Sequence, residues 1–486
     1  MKQYLLGIDV GTTGTKALLF SADGELVGHA YRSYPLSTPQ VGWSEQRAED
    51  WWEAVVATVR EICGGQDYKV AAISLSLQGG TVVPVDENGS ALRPAIVWND
   101  GRGTAQKEAF LQEVGDDAYM YRTTGWHLGR NLPALEIRWI RDNEPDIFAK
   151  TRYFLSVPDY ISMKMTGVPA VDLSDAGINQ LCDIRRGTYD ENILKFAGIT
   201  EEKLAKIFRS GEKIGNLTPE AAQALGLTTD TVVVAGAHDQ YAVALGAGAT
   251  RPGDMLIGSG TCWVVTAICD EPDFTSGRSQ SVAATPNTWG TLMSLSSGGV
   301  CLDWLRKQVS SGDEMSYDAI NQIVADRKAA EDGLFFYPFS GKSGTATNFQ
   351  KASFIGLDLA HDRFDMARAV MEGVVFQILW MMEGFPQRPS EEGIILSGGA
   401  SKSPVWAQLL ADISGLPVRI PEVADLACVG AAIMAGVGCG LYANTEEGHR
   451  ALSVKERIVQ PDLEKTKKYT ALSAKYRQKA ENLIKE

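Results

Sequence analysis

The chain contains no C-x-x-C pair, and its seven cysteines (Cys63, Cys182, Cys262, Cys269, Cys301, Cys428 and Cys439) are odd in number and widely spread. That favours reduced, buried thiols in a cytoplasmic protein over a disulfide framework or a zinc site. Its five histidines are scattered, with no two at i, i+4, which leaves a histidine metal site without support. No uninterrupted apolar run reaches the roughly 18 residues needed to cross a bilayer. Met1-Lys2-Gln3-Tyr4 leads straight into a short apolar strand, so no secretory leader is expected either. Positive charge is scarce: 46 Lys and Arg stand against 60 Asp and Glu, a formal net charge of −14. A broad nucleic-acid or anionic-membrane surface is thereby disfavoured, although a local pocket for one phosphate chain is not. The common nucleotide loops are missing as well. Gly341-Lys342-Ser343 resembles the end of a P-loop, but Phe336 stands where its first glycine belongs, and Gly436-Val437-Gly438 continues to Leu441 instead of a third glycine.

What is present describes a globular enzyme: 486 residues, 44% hydrophobic and 22% charged, enough for two lobes of about 200 to 250 residues. Leu5 to Val10, Lys16 to Phe20 and Leu26 to Tyr34, with a reversal at Asp23-Gly24, read as a β-meander. Trp51, Trp52, Val55, Val56, Val59 and Ile62 recur at helical spacing, and Val70 to Leu77 follows as a strand. Strands and helices alternate from there on, the pattern of an α/β fold. Leu463 to Glu486 is Lys-rich and helix-prone, and reads as a solvated helix packed on one lobe.

One internal comparison organises the rest. Leu6-Gly7-Ile8-Asp9-Val10-Gly11-Thr12 lines up with Met255-Leu256-Ile257-Gly258-Ser259-Gly260-Thr261, each an apolar strand that breaks at Gly-Thr and resumes as a second strand. A duplicated core is expected, with residues 1–249 and 250–486 as its lobes and Ala249 to Gly253 as the connector. A Gly-Thr turn exposes backbone N–H groups and a hydroxyl to a phosphate. Either turn alone is an ordinary structural turn; two facing each other across a cleft would hold a triphosphate. Asp9 interrupts an otherwise apolar strand, and Asp239, in Ala235-Gly236-Ala237-His238-Asp239-Gln240, follows the apolar run Val232 to Val234. Paired carboxylates beside phosphates have two uses: holding Mg²⁺ through water and taking the proton of an attacking hydroxyl. A helix N-cap is the alternative for Asp239.

With these segments in order, the chain resembles the FGGY carbohydrate kinases, and among them most of all the xylulose kinases. The resemblance runs through Gly7 to Lys16, Gly42-Trp43-Ser44-Glu45-Gln46, Arg93 to Arg102, Leu173-Ser174-Asp175-Ala176, Gly236 to Gln240, Gly258 to Thr261 and Ser397 to Ser403. It implies a two-lobed actin-like ATPase (ribonuclease H-like) fold, with a sugar-binding first lobe and an ATP-binding second lobe. By the same resemblance Asp239 is the catalytic base and Asp9 lies near metal and phosphates. Thr12, Thr13, Lys16, Gly260 and Thr261 serve the phosphate chain. Gly298, Gly299 and the stretch Gly398, Gly399, Ala400 to Ser403 form the adenosine pocket, with Pro404 opening a helix that runs to Ser414.

Two departures bear on the acceptor. Xylulose kinases read Gln-Met-His after the strand ending at Leu77, and here the loop is Gln78-Gly79-Gly80, which removes two side chains that touch sugar. The family's Gly-Glu-Arg-Thr-Pro is replaced by Gly341 to Thr345. Glycerol kinases carry Arg-Glu in the Gln78 loop, which is absent, although Asp239-Gln240 matches their pair. The expected reaction is γ-phosphoryl transfer from Mg·ATP to a hydroxyl of a ketopentose such as xylulose, with closure of the lobes excluding water. Gln78, Gly79, Asn99, Asp100, Asp239 and Gln240 would contact the substrate, an ordinary turn being the alternative for Asn99-Asp100. Glycerol, a tetritol or L-xylulose are rival acceptors. An ATP-driven filament or chaperone protein is the rival class, and has no use for Asp239-Gln240. The oligomeric state is left open, a homodimer being one option.

Overall fold

The computed structural model describes residues 2–129, 132–309, 315–339, 351–423 and 425–484. The replacement loop at Gly341 to Thr345 lies outside them. The chain divides into two compact units. Unit 1 comprises Met1–Thr250, Asp270–Gly290 and Val423–Val454, and unit 2 comprises Arg251–Cys269, Thr291–Glu422 and Lys455–Glu486. A single cut at 249/250 therefore fits the first half of the chain only, because two later segments return to unit 1.

In unit 1, β1 (Gln3–Val10), β2 (Gly14–Ser21) and β3 (Leu26–Ser33) form the antiparallel meander that their alternating turns predict. β4 (Lys69–Leu77) runs parallel to β1, β6 (Val232–His238) runs parallel to β4, and β5 (Lys213–Asn216) closes the edge antiparallel. Leu6, Ile8, Val10, Ile73 and Leu75 are buried together with Trp51, Val55 and Val59 of α1 (Ala48–Cys63). Here the helical spacing of the apolar residues becomes one buried face. Separate from that core, Phe110, Met120, Leu135, Ile137, Ile140 and Phe196 gather the helices between residues 104 and 197.

In unit 2, β7 (Met255–Ser259) and β8 (Trp263–Cys269) form the second hairpin. β9 (Trp289–Leu295) lies beyond β8. On the other side β10 (Ile394–Gly398) is parallel to β7, β11 (Val418–Pro421) is parallel to β10, and β12 (Glu456–Val459) is the antiparallel edge. Each unit thus has a hairpin followed by two parallel strands and an antiparallel edge. This is the ribonuclease H-like plan, present twice, of the actin-like ATPase fold. The C-terminal helix, Leu463–Ile484, buries Tyr469, Leu472, Tyr476 and Ala480 against unit 2, with the Tyr476 ring stacked 4.5 Å from that of Tyr337.

Two helices bring functional segments to the unit 1 sheet. α2 (Asp239–Gly246) follows β6 directly, and α7 (Leu426–Gly438) returns late in the chain to lie on β1 and α2. Their contact is close enough to require glycine. A Cβ on Gly430 would stand 2.0 Å from the Ala242 carbonyl oxygen, and one on Gly7 would stand 1.9 Å from that of Cys428. This packing is why residues 423–454 belong to unit 1.

Candidate functional site

The first hairpin puts Asp9 and Lys16 opposite each other in the β1–β2 register. Asp9 Oδ1 accepts a hydrogen bond from Ser76 Oγ at 2.8 Å. Lys16 Nζ pairs with Asp425 at 2.6 Å, so this lysine, expected to serve ATP, is held by the residue that caps α7. Burial pushes the Asp9 carboxyl up to about 7, with Asp425 and Asp239 raising it further, against Ser76 and Lys16, which lower it. Burial is the larger cause, and the acidic neighbours add to it.

Asp239 is the first residue of α2, and the N-cap is His238, so the capping alternative does not describe it. It is half-buried, its Oδ1 is 3.3 Å from His238 Nε2, and that oxygen is buried with no hydrogen-bond partner among the described residues. Gln240 follows on the same turn, half-buried.

The first Gly-Thr turn is held from below. Thr12 Oγ1 donates to Gln78 Oε1 at 2.9 Å and accepts from Trp98 Nε1 at 3.0 Å. Gln46 Nε2 donates to the Thr12 carbonyl, and Gln78 Nε2 donates to Gln46 Oε1 at 3.3 Å. The buried Gln78 amide, expected to contact the substrate, thus also holds the turn. Thr13 is exposed. Asp100, also expected at the substrate, is engaged within the protein. Its oxygens accept from Arg102 Nε and Nη2, the Arg102 backbone N–H and Ser44 N, all within 2.6 to 2.9 Å, and its side chain has no exposed surface. It is a structural anchor for the turn that presents exposed Trp98 and Asn99.

Gly79 is closely packed. The missing Met and His side chains leave no vacancy there: a Cβ at Gly79 would lie 2.8 Å from Asp175 Oδ1, 2.9 Å from Ile178 and 3.0 Å from His238. Gly80 has φ +71°, a conformation that side-chain-bearing residues rarely adopt.

In unit 2 the second turn borders a cavity of about 440 Å³. Gly260 and Thr261 stand at its edge and are exposed, as is the neighbouring Cys262, which with half-buried Cys439 departs from the expected burial of the thiols. Gly299, Gly399, Ala400, Lys402 and Ser403 line it as well. Gly298 and Gly398 do not: Gly298 is buried behind the wall, and Gly398 is exposed outside it. A Cβ on Gly298 would strike the Trp263 ring at 1.9 Å, and one on Gly398 would meet Ser259 O at 2.7 Å. Trp263, Leu302, Ile320, Met371 and Trp406 supply apolar walls that the sequence did not point to. Ser403 caps α6 (Pro404–Ser414) by accepting from Trp406 N at 3.1 Å, and its Oγ donates to Asn321 Oδ1 at 2.6 Å. Asn321 and Asp425 had no local signal beyond a polar residue beside a helix, and their partners lie 82 and 409 residues away.

No helix among the described residues is long and apolar enough to cross a membrane, and among them no group of three or more His, Cys, Asp and Glu could hold a metal ion alone.

Residues 4–246 match the model of the N-terminal domain of the FGGY family of carbohydrate kinases, and residues 255–439 match its C-terminal domain. The gluconokinase of Bacillus subtilis (strain 168) is 30% identical over 462 residues, covering 91% of this chain and 88% of that protein. The xylulose kinase of the same strain is 29% identical over 490 residues, covering 98% and 96%. The crystal structure of xylulose kinase from Rhodospirillum rubrum superposes with a TM-score of 0.90 at 27% identity, covering 99% of each chain. With both domains matched in order and a relative at 30% identity along most of its length, the chain belongs to the FGGY family of carbohydrate kinases.

Proposed function

We propose that this carbohydrate kinase phosphorylates an uncharged polyhydroxy acceptor, a ketopentose such as xylulose, with Asp239 as general base. The observation that carries the reading is Asp239 itself. It is a carboxylate at the first turn of α2, with a buried oxygen lacking a donor and Asp9 near enough to feel its charge. Such a group accepts a proton readily from a hydroxyl placed against it. The acceptor's lack of charge follows from the cations beside the site. Among the described residues Lys16 is paired with Asp425, and Arg102 with Asp100 and Glu45, so neither offers a sugar acid a free positive charge.

ATP is assigned to unit 2, with the base and ribose in the cavity bounded by Gly299, Gly399, Ala400 and Ser403 and the phosphates leading past Gly260 and Thr261. Asp9, with the carboxylates of Asp425 and Asp239 near enough to act on it, suits a divalent cation by its oxygen donors. Asp9 and Asp239 would hold Mg²⁺, which supplies charge neutralisation on the transferring phosphate. Around it, Gln78, Gln46 and Trp98 keep the Thr12 turn rigid, and Asp239 receives the hydroxyl proton as the new bond from the acceptor oxygen to the γ-phosphorus forms and the bond to the bridging oxygen breaks, with ADP leaving.

The test is ADP release by the purified protein with Mg·ATP and a panel of D-xylulose, L-xylulose, gluconate, glycerol and erythritol. Turnover highest on a ketopentose supports the reading. Preference for gluconate overturns the uncharged acceptor, and equal turnover without any sugar overturns the kinase assignment.

A further inference from the structure

The motif Leu173-Ser174-Asp175-Ala176 takes no part in the reaction described above, yet it touches both sides of the acceptor site. It opens the short helix Leu173–Ile178, capped by Asp172, whose Oδ1 accepts from Ser174 N at 2.9 Å, Asp175 N at 3.2 Å and the Ser174 hydroxyl. Ser174 Oγ in turn accepts the backbone N–H of His238 at 2.9 Å, the residue immediately before Asp239. On the other side, Asp175 Oδ1 lies under the Gln78-Gly79-Gly80 loop, 2.8 Å from the point a Gly79 Cβ would occupy.

Asp175 is wholly buried and Asp172 is 2% exposed. Asp172 Oδ2 and both Asp175 oxygens have no donor among the N–H and hydroxyl groups of the described residues. Asp172 caps the helix of which Asp175 is the third residue, so two buried carboxyls share one helix turn. Two buried carboxylates on one turn and short of donors cannot both be ionised at reasonable cost. Asp172 has three donors on Oδ1, so it keeps the charge; Asp175 carries the proton and donates its O–H to Asp172. Burial and the neighbouring Asp172 also hold the Asp175 carboxyl well above the ordinary range.

We propose that Asp172, Ser174 and Asp175 are positioning residues for the phosphoryl transfer: one shared proton locks the carboxyl pair, Ser174 fixes the His238 backbone and with it Asp239, and Asp175 backs the Gly79 loop. This rests on the reading of Asp239 as the base. It adds that the base is placed by a network and not by its helix alone.

The experiment compares wild type, Ser174→Ala, Asp175→Ala and Asp175→Asn as full chains, in steady-state kinetics with ATP and the best acceptor, with melting curves to confirm folding. Ser174→Ala and Asp175→Ala should lower kcat, on the order of 10²-fold for a displacement of about 1 Å, with KM for ATP unchanged. Asp175→Asn replaces the O–H donor by an N–H donor and should stay within about threefold of wild type. A Ser174→Ala enzyme with wild-type kcat, or an Asp175→Asn enzyme as impaired as Asp175→Ala, overturns the proposal. An infrared difference spectrum, wild type minus Asp175→Asn, should show a carboxylic-acid C=O band, and its absence overturns the shared proton irrespective of turnover. If wild type is inert on every acceptor, the functional reading fails and the positioning role falls with it, leaving the band to decide the carboxyl pair alone.

Discussion

The two hairpins are built alike and equipped differently. In unit 1 the strands carry Asp9 and Lys16 across from each other, and the Thr12 hydroxyl is held by Gln78 and Trp98. In unit 2 the position aligned with Asp9 is Gly258, paired with Val264, and Thr261 stands exposed beside an apolar-walled cavity. Duplication preserved the frame and not the chemistry. Charge in unit 1 sits on the hairpin strands themselves, whereas in unit 2 the hairpin is neutral and the cavity beside it joins apolar walls to Asp303, Asp318 and Lys402.

The strongest way to break this contrast is at the charged half. Asp239→Asn keeps size and most hydrogen bonding but cannot take a proton, and loss of a general base typically costs about 10² to 10⁴ in rate. Turnover should fall by that factor on every acceptor while ATP binding, measured by calorimetry, stays near wild type. Retention of more than about a tenth of kcat would remove Asp239 from the role.

Asp9→Asn should separate activity from stability. Asp9 and Asp159 are both pushed up to about 7, chiefly by burial. Between the ordinary carboxyl range and pH 7 the folded state therefore holds protons that the unfolded state has lost, and stability falls as pH rises through that window. The asparagine variant escapes the part due to Asp9. Without divalent cation it should melt a few degrees above wild type at about pH 8, the gap closing towards about pH 4, while sugar phosphorylation is lost. A variant that melts below wild type at pH 8 would show that Asp9 is well balanced where it sits.

At the Gly79 loop the expected effect is smaller and structural. Gly79→Met must displace Asp175, Ile178 or His238, and overpacking of this kind costs about 1 to 3 kcal/mol. Thermal melting should register that loss, with the order of acceptors unaltered among the activity that remains. A stable variant with a new preferred sugar would show that the loop can open. Smallest of all, Thr261→Val at the neutral hairpin removes one hydroxyl, worth about 1 kcal/mol or roughly fivefold in KM for ATP. The melting temperature should stay within a few degrees, and an equal loss of stability and nucleotide use would make this turn purely structural.

Sequence patterns that act over a few residues were readable. The meander, α1, the Ser403-Pro404 helix start and the paired Gly-Thr turns all appear where propensity, turn residues and periodicity put them. Facing direction was not readable. Gly298 and Gly299 are adjacent, yet one supports the Trp263 ring and the other lines the cavity, because a glycine needed for close packing and one needed for a ligand look the same in a string. Asn99 and Asp100 differ in the same way, one exposed and one anchored by Arg102 and Ser44. The Lys16–Asp425 pair joins residues 409 positions apart, a separation that local spacing cannot report.

The late return of α7 has a consequence for biosynthesis. A ribosome releases β1 among the first residues of the chain, but the backbone that seats against Gly7 arrives only when Cys428 and its neighbours emerge. A nascent or truncated chain ending near Thr250 has all six strands of the first sheet and lacks the helix that covers one of its faces. Such a species would present bare apolar surface to chaperones and to other chains during the whole synthesis of unit 2. Splitting this enzyme into separately expressed halves at the connector should give an aggregating N-terminal piece, rescued when a segment spanning residues 423–454 is fused to it.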